Sequence, residues 1–208
     1  MYVTELLSLT AGVLCMAAPF AQAIKTITTR NVAGLSVSSY MLLVPLGVLA
    51  VLIGVQYRIY VFMGLNAAIC LCNACILFLI SWRRFLTLIA AAIFLVILTA
   101  LFAPWFLEGI VTTRWAESTA FVQGLLGASA FLPQVLLTRR TQSVSALSLT
   151  NLVLFTSGMI VAIALAVVLR NWAMLFWNGI IFLFMPDLLR LKIAIEYFPK
   201  QAQTIPEG

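Results

Sequence analysis

The chain has 208 residues, of which 64% are apolar and 9% charged, and 12 basic against 6 acidic residues give a net charge of +6. A soluble domain carries about a quarter charged residues, so this chain could not cover a water-facing surface, and a soluble globular protein is excluded. Histidine is absent, which removes the commonest general base and metal ligand. No carboxylate pair lies within the apolar runs, so neither an enzyme site nor a cofactor or metal centre is expected.

Seven apolar runs follow one another, at about 4–25, 38–56, 59–80, 85–103, 117–137, 148–169 and 172–193. A bilayer-crossing helix takes ~20 such residues, whereas barrel strands would be ~10 residues of alternating polarity. With no water in the hydrocarbon layer, each segment must satisfy its own backbone, so the runs are predicted to be helices. The first run has no basic segment before it and is interrupted by Glu5, which predicts a retained span, not a cleaved signal. Cys15, Cys70, Cys72 and Cys75 all fall inside runs and read as packing thiols. The fourth run holds no polar residue beyond Thr87 and Thr99, as suits a lipid-facing linker. After Phe198 the sequence turns polar, and 199–208 is predicted to be a disordered tail.

Loop charge gives the orientation. Lys25, Arg30, Arg83, Arg84, Arg139, Arg140, Arg190, Lys192 and Lys200 fall on one side, and Arg58, Arg114 and Arg170 on the other. The positive-inside rule then predicts an outside N-terminus and a cytoplasmic C-terminus, in a plasma or inner membrane. Tyr57, Tyr60, Trp105, Trp115 and Trp172 fall at the outer boundary, and Trp82 and Tyr197 at the inner one. The basic excess is thereby explained by topology, and no nucleic-acid partner is expected.

A shift of 112 residues brings the two ends of the chain into register without a gap. Gly12 meets Gly124, Gln22 meets Gln134, Thr26 meets Thr138, Leu35-Ser36 meets Leu147-Ser148, Arg58 meets Arg170, and Asn66 meets Asn178. Matched leucines carry no weight in such a chain, but matched glutamines, arginines and asparagines do, because polar residues are scarce. The expected fold is therefore an all-α polytopic membrane protein with seven transmembrane helices in a 3+1+3 plan. Residues 1–82 form one triple-helix repeat, 83–116 a linker helix with an outer loop, and 117–198 the second repeat. A three-helix unit starts and ends on opposite sides, so the linker helix makes the two repeats parallel about an axis along the membrane normal.

Substrate sites in duplicated transporters lie at the repeat interface near the midplane. Asn66 and Asn178 are matched intramembrane amides, with donors and an acceptor suited to a neutral polar solute; the alternative is interhelical glue. Asn66, Cys70 and Asn73 share one helix face, as do Asn178, Ile181 and Met185. Pro19 and Pro133 each free a carbonyl four residues back, just before Gln22 and Gln134, and read as hinges or static bends. Pro45 and Pro186 have no repeat partner. Asp187 is the one acid clearly within a span, which makes it a proton-coupling candidate; the alternative is an interfacial acid paired with Arg190.

Residues 18–40, APFAQAIKTITTRNVAGLSVSSY, and 130–152, AFLPQVLLTRRTQSVSALSLTNL, carry a further signal. The second has Pro133-Gln134, a basic turn and a following Leu-Ser, and resembles the motif of the PQ-loop superfamily, which includes the SWEET and SemiSWEET sugar transporters. The resemblance implies passive or proton-coupled movement of small polar solutes, with Pro133, and Pro19 by position, flexing gating helices beside Gln22 and Gln134. It also implies that Asn66 and Asn178 correspond to the central asparagines of the sugar-transporting members. The first repeat departs from the motif, with Ala21 before Gln22 and the proline at Pro19. Ala50 and Ala162 stand where those members place tryptophans, which implies a wider pocket.

The sequence therefore predicts a transporter working by alternating access between two repeats, with SWEET-like facilitated sugar uniport as the leading form. A proton-coupled amino-acid transporter, a vitamin- or nucleoside-type transporter and a non-transporting cargo receptor of the same superfamily are the alternatives. Expected partners are a small polar solute and the lipid bilayer, and a homo-oligomer is compatible with the sequence. A retinal photoreceptor is disfavoured because Lys192 lies at the inner end of the last span.

Overall fold

A computed structural model of the chain describes residues 2–56, 60–89 and 113–198. It contains α1 (Tyr2–Thr29), α2 (Val37–Gln56), α3 (Tyr60–Ile80), a helical stretch α4 at 82–89, α5 (Thr113–Thr141), α6 (Leu149–Val168) and α7 (Trp172–Tyr197). The described residues include no strand. The fourth span beyond residue 89, Tyr57, Arg58, the outer loop with Trp105 and Glu108, and the tail lie outside the described residues.

The helices form because each run offers lipid a continuous apolar face and water nothing to solvate. α1 exposes Leu6, Leu9, Val13, Phe20, Ile24 and Ile27 along its length, a stripe that has no reason to exist in water. Among the described residues, α1, α3, α6 and α7 each contain a stretch long and apolar enough to cross a bilayer. At 1.5 Å per residue the 20-residue α6 spans about 30 Å, the thickness of a hydrocarbon core. Exposed Tyr60 and Trp172 begin α3 and α7 at one end, and exposed Trp82 and Tyr197 lie at the other. The protein is an integral membrane protein.

α1 and α5 run about a turn further than the apolar pattern predicts. Threonine hydroxyls carry the extension: Thr29 Oγ1 donates to the Lys25 carbonyl and Thr141 Oγ1 to the Leu137 carbonyl, each at 2.8 Å. Both helices then stop in the same way. Arg30 and Gln142, matched by the repeat, take a left-handed φ of 50°, and their N–H groups bond the Thr26 and Thr138 carbonyls at 2.9 Å. Ser36 and Ser148 cap the next helices, accepting from the N–H of Ser39 and of Asn151, each at 3.2 Å.

Within each half the third helix lies between the first and second: α3 packs on α1 and α2, and α7 on α5 and α6. The halves meet through α1 on α6 and α2 on α5. The six helices thus close a ring in the order α1, α3, α2, α5, α7, α6, with α3 and α7 on opposite walls. Close approach is licensed by small residues: a Cβ on Gly158 would stand 2.7 Å from Cys15 Sγ, and one on Gly47 would stand 2.7 Å from Cys70 Cβ.

Candidate functional site

The two matched glutamines are the strongest polar feature of the interface. Gln22 is 1% exposed and Gln134 6%. Gln22 Nε2 donates to the Ala146 carbonyl at 2.8 Å, and its Oε1 accepts from the Ser148 N–H at 2.7 Å. Gln134 Nε2 donates to the Gly34 carbonyl at 2.7 Å, and its Oε1 accepts from the Ser36 N–H at 2.8 Å. Each glutamine also donates to the threonine one turn on, Thr26 or Thr138, at 3.1 Å. Each half therefore uses its first helix to clasp the backbone turn of the other. These bonds satisfy buried turn groups that lipid could not hydrate.

The turns themselves touch across the axis. Gly34, at φ +87°, lies so close to Ser143 that an added Cβ would stand 2.2 Å from the Ser143 carbonyl oxygen. Asn31 Nδ2 donates to Ser145 Oγ at 3.1 Å. The end of the molecule bearing these turns is thus closed.

Lysines complete this end on one side only. Lys25 Nζ donates to the Leu147 carbonyl at 2.6 Å and Lys192 Nζ to the Val144 carbonyl at 2.7 Å, while Lys192, 1% exposed, also pairs with Glu196. The positions that match Lys25 and Lys192 by the repeat are Leu137 and Ile80, so the 31–36 turn has no counterpart to this pair.

Between the halves, on the membrane side of the clasps, lies a cavity of about 200 Å³. Its lining includes Pro19, Gln22, Asn66, Asn73 and Gln134 from the sequence-predicted set. None of the lining residues carries a formal charge. Asn73 is 4% exposed. Cys70 turns toward α2, its Sγ donating to the Val44 carbonyl at 3.5 Å, so the cavity face of α3 is Asn66, Ile69 and Asn73.

The remaining predicted residues lie elsewhere. Asn178 is half-buried and outside the lining, where Ile181 and Met185 represent α7. The neighbouring Trp177 ring lies so close over α5 that a Cβ on Gly124 would stand 2.4 Å from it. Ala50 and Ala162 are buried in helix packing, 1% and 7% exposed, away from the lining. Pro133 is half-buried and also outside it; the repeat partner of Pro19 is Phe131, which does line the cavity. Asp187 stands apart and pairs with Arg139 of α5 at 3.0 Å, not with Arg190.

Sequence reasoning missed Ser39 and Asn151. They match at the same 112-residue shift and both line the cavity. Their signal was weak because one is a hydroxyl and the other an amide, and Ser39 sits in the serine-rich stretch SVSS. Ser39 is 3% exposed, and its Oγ has no hydrogen-bond partner among the described residues.

Comparison with known proteins adds a repeat. No curated protein matches the chain. The family model for the PQ loop repeat matches residues 116–172, which run through α5, its clasping Gln134, the 142–148 turn and α6. The second half of the chain thus carries a PQ loop repeat, and the first half stands in register with it at the 112-residue shift.

Proposed function

We propose that the protein transports a small uncharged polar solute across its membrane by alternating access between the two triple-helix halves. The observation that carries this reading is the charge-free cavity on the pseudo-twofold axis, closed at one end by the reciprocal glutamine clasps. Intramembrane amides facing a cavity are expensive unless they serve a ligand or a neighbour, and Asn66 and Asn73 both face this one. SWEET-like facilitated uniport of a sugar is the form that the superfamily suggests first. Breaking the clasps while Pro19 and Pro133 let α1 and α5 bend would open the closed end. Asn178, Ala50 and Ala162 would then join the solute path only in another state of the cycle.

The test is uptake into proteoliposomes, with candidate solutes first ranked by thermal shift of the purified protein. Asn73→Ala and Asn66→Ala are expected to lower uptake of the best binder by about tenfold or more. Unchanged uptake in both would refute the reading, and binding without any flux would favour a receptor.

A second reading rests on the Arg139–Asp187 pair, which ties α5 to α7 within one half. Protonating Asp187 would release that tie, which is how a proton could be coupled to movement of the second half. Flux through Asp187→Asn that keeps the wild-type pH dependence would remove it.

A further inference from the structure

The repeat matches positions, yet the chemistry at the cavity differs between the two walls. On the α2 and α3 wall stand Ser39, Asn66 and Asn73. The 112-residue shift maps Asn73 to Met185, Tyr40 to Leu152, Leu43 to Phe155 and Pro19 to Phe131, all of which line the opposite side. The Phe131 and Phe155 rings pack against each other with centroids 5.1 Å apart. Both join the cluster of Val135, Leu152, Met185 and Leu188. Asn151 and the clasping Gln134, beside the closed end, are the polar exceptions on that side. Duplication has thus yielded one hydrogen-bonding wall and one apolar, partly aromatic wall.

From this polarity we infer the substrate class, resting on the transporter reading above: a neutral amphipathic molecule with one hydrogen-bonding edge and one apolar, preferably flat, face. Its edge sits on Asn66, Asn73 and the unpartnered Ser39 hydroxyl, and its face lies on Phe131, Phe155 and Met185. A cavity of 150 Å³ accommodates benzene, so 200 Å³ suits a solute of about eight to ten non-hydrogen atoms. A polyol with hydroxyls around its whole rim would bury several of them, unpaired, against Leu152, Met185 and Leu188. A charged solute would find no counter-charge in the lining.

The experiment measures binding of benzamide, benzyl alcohol and thymine against glucose and myo-inositol, by calorimetry on purified protein at up to about 10 mM. At least one of the first three is expected to bind about tenfold or more tightly than either polyol. Asn73→Met, which gives the first half the residue of the second, is expected to weaken that binding about tenfold or more. Met185→Asn, the reverse exchange, is expected to narrow the gap between the aromatic probe and the polyols. Unliganded melting of both variants near wild type shows that they fold, and Ser39→Ala provides a smaller perturbation of the same wall. Polyols binding as well as the aromatic probes, no binding by any of the first three, or indifference to both Asn73→Met and Ser39→Ala would overturn the inference. Proteoliposome flux separates it from the transporter reading. Selective binding without flux defeats transport alone, and polyol flux without aromatic binding defeats the substrate class alone.

Discussion

Replacing Gln134 with leucine removes the donor to the Gly34 carbonyl at 2.7 Å and the acceptor for the Ser36 N–H at 2.8 Å. Leucine nearly keeps the volume, so the loss is one of hydrogen bonding more than of packing. Each bond contributes about 1 kcal/mol net, and a buried group left unpaired costs about 1–3 kcal/mol. Ser36 is 5% exposed, and its N–H, at a helix start, has no partner within its own helix. The expected destabilisation is therefore about 2–4 kcal/mol. For a chain of this size that lowers Tm by roughly 4–15 °C, readable by scanning fluorimetry in detergent. Gln22→Leu loses the matching bonds to Ala146 and Ser148 and should cost the same within about 1 kcal/mol. Melting points within ~2 °C of wild type for both variants would mean that the clasps hold nothing, and the account of the closed end would fail.

Three further predictions follow from close contacts and charge. Gly34→Ala puts a Cβ 2.2 Å from the Ser143 carbonyl oxygen at a left-handed φ of +87°, so it should cost more than about 1 kcal/mol of stability in the same melting assay. Gly158→Ala drives a Cβ to 2.7 Å from Cys15 Sγ and should loosen the α1–α6 seam by about 1–3 kcal/mol; Cys15→Ala in the same chain should restore part of the melting point. Arg139→Gln breaks an ion pair whose side chains are 61% and 23% exposed, so the stability loss should stay below about 1 kcal/mol and shrink further in high salt.

The span pattern and the repeat were legible because hydrocarbon permits few solutions: long apolar runs must be helices, and scarce polar residues in register betray duplication. The importance of Gln22 and Gln134 was legible too, but not their partners. Those partners are the carbonyls of Gly34 and Ala146 and the N–H groups of Ser36 and Ser148, and every residue carries such groups. Asn66 and Asn178 looked equivalent in sequence, yet only Asn66 reaches the cavity lining. Register gives the position along a helix, while the set of side chains that reaches a cavity also depends on how neighbouring helices pack, as Trp177 does over Gly124. The Asp187 partner was misjudged for a similar reason: Arg190 is near in sequence, but Arg139 is brought alongside by the α5–α7 packing.

Under the proposed transport cycle, the lysine pair on the 144–147 turn would make the shut end behave like a door hung on one jamb. Charge-assisted bonds are roughly twice as strong as neutral ones, and Lys25 and Lys192 supply them to this turn alone of the two. In the transport cycle proposed above, the two leaves would therefore not swing with equal ease. The 31–36 turn, held by neutral bonds, would be the free edge where opening begins, and the lysine-bound side would act as the pivot. Two halves in one chain would thereby gain a direction of motion that a pair of identical subunits could not have.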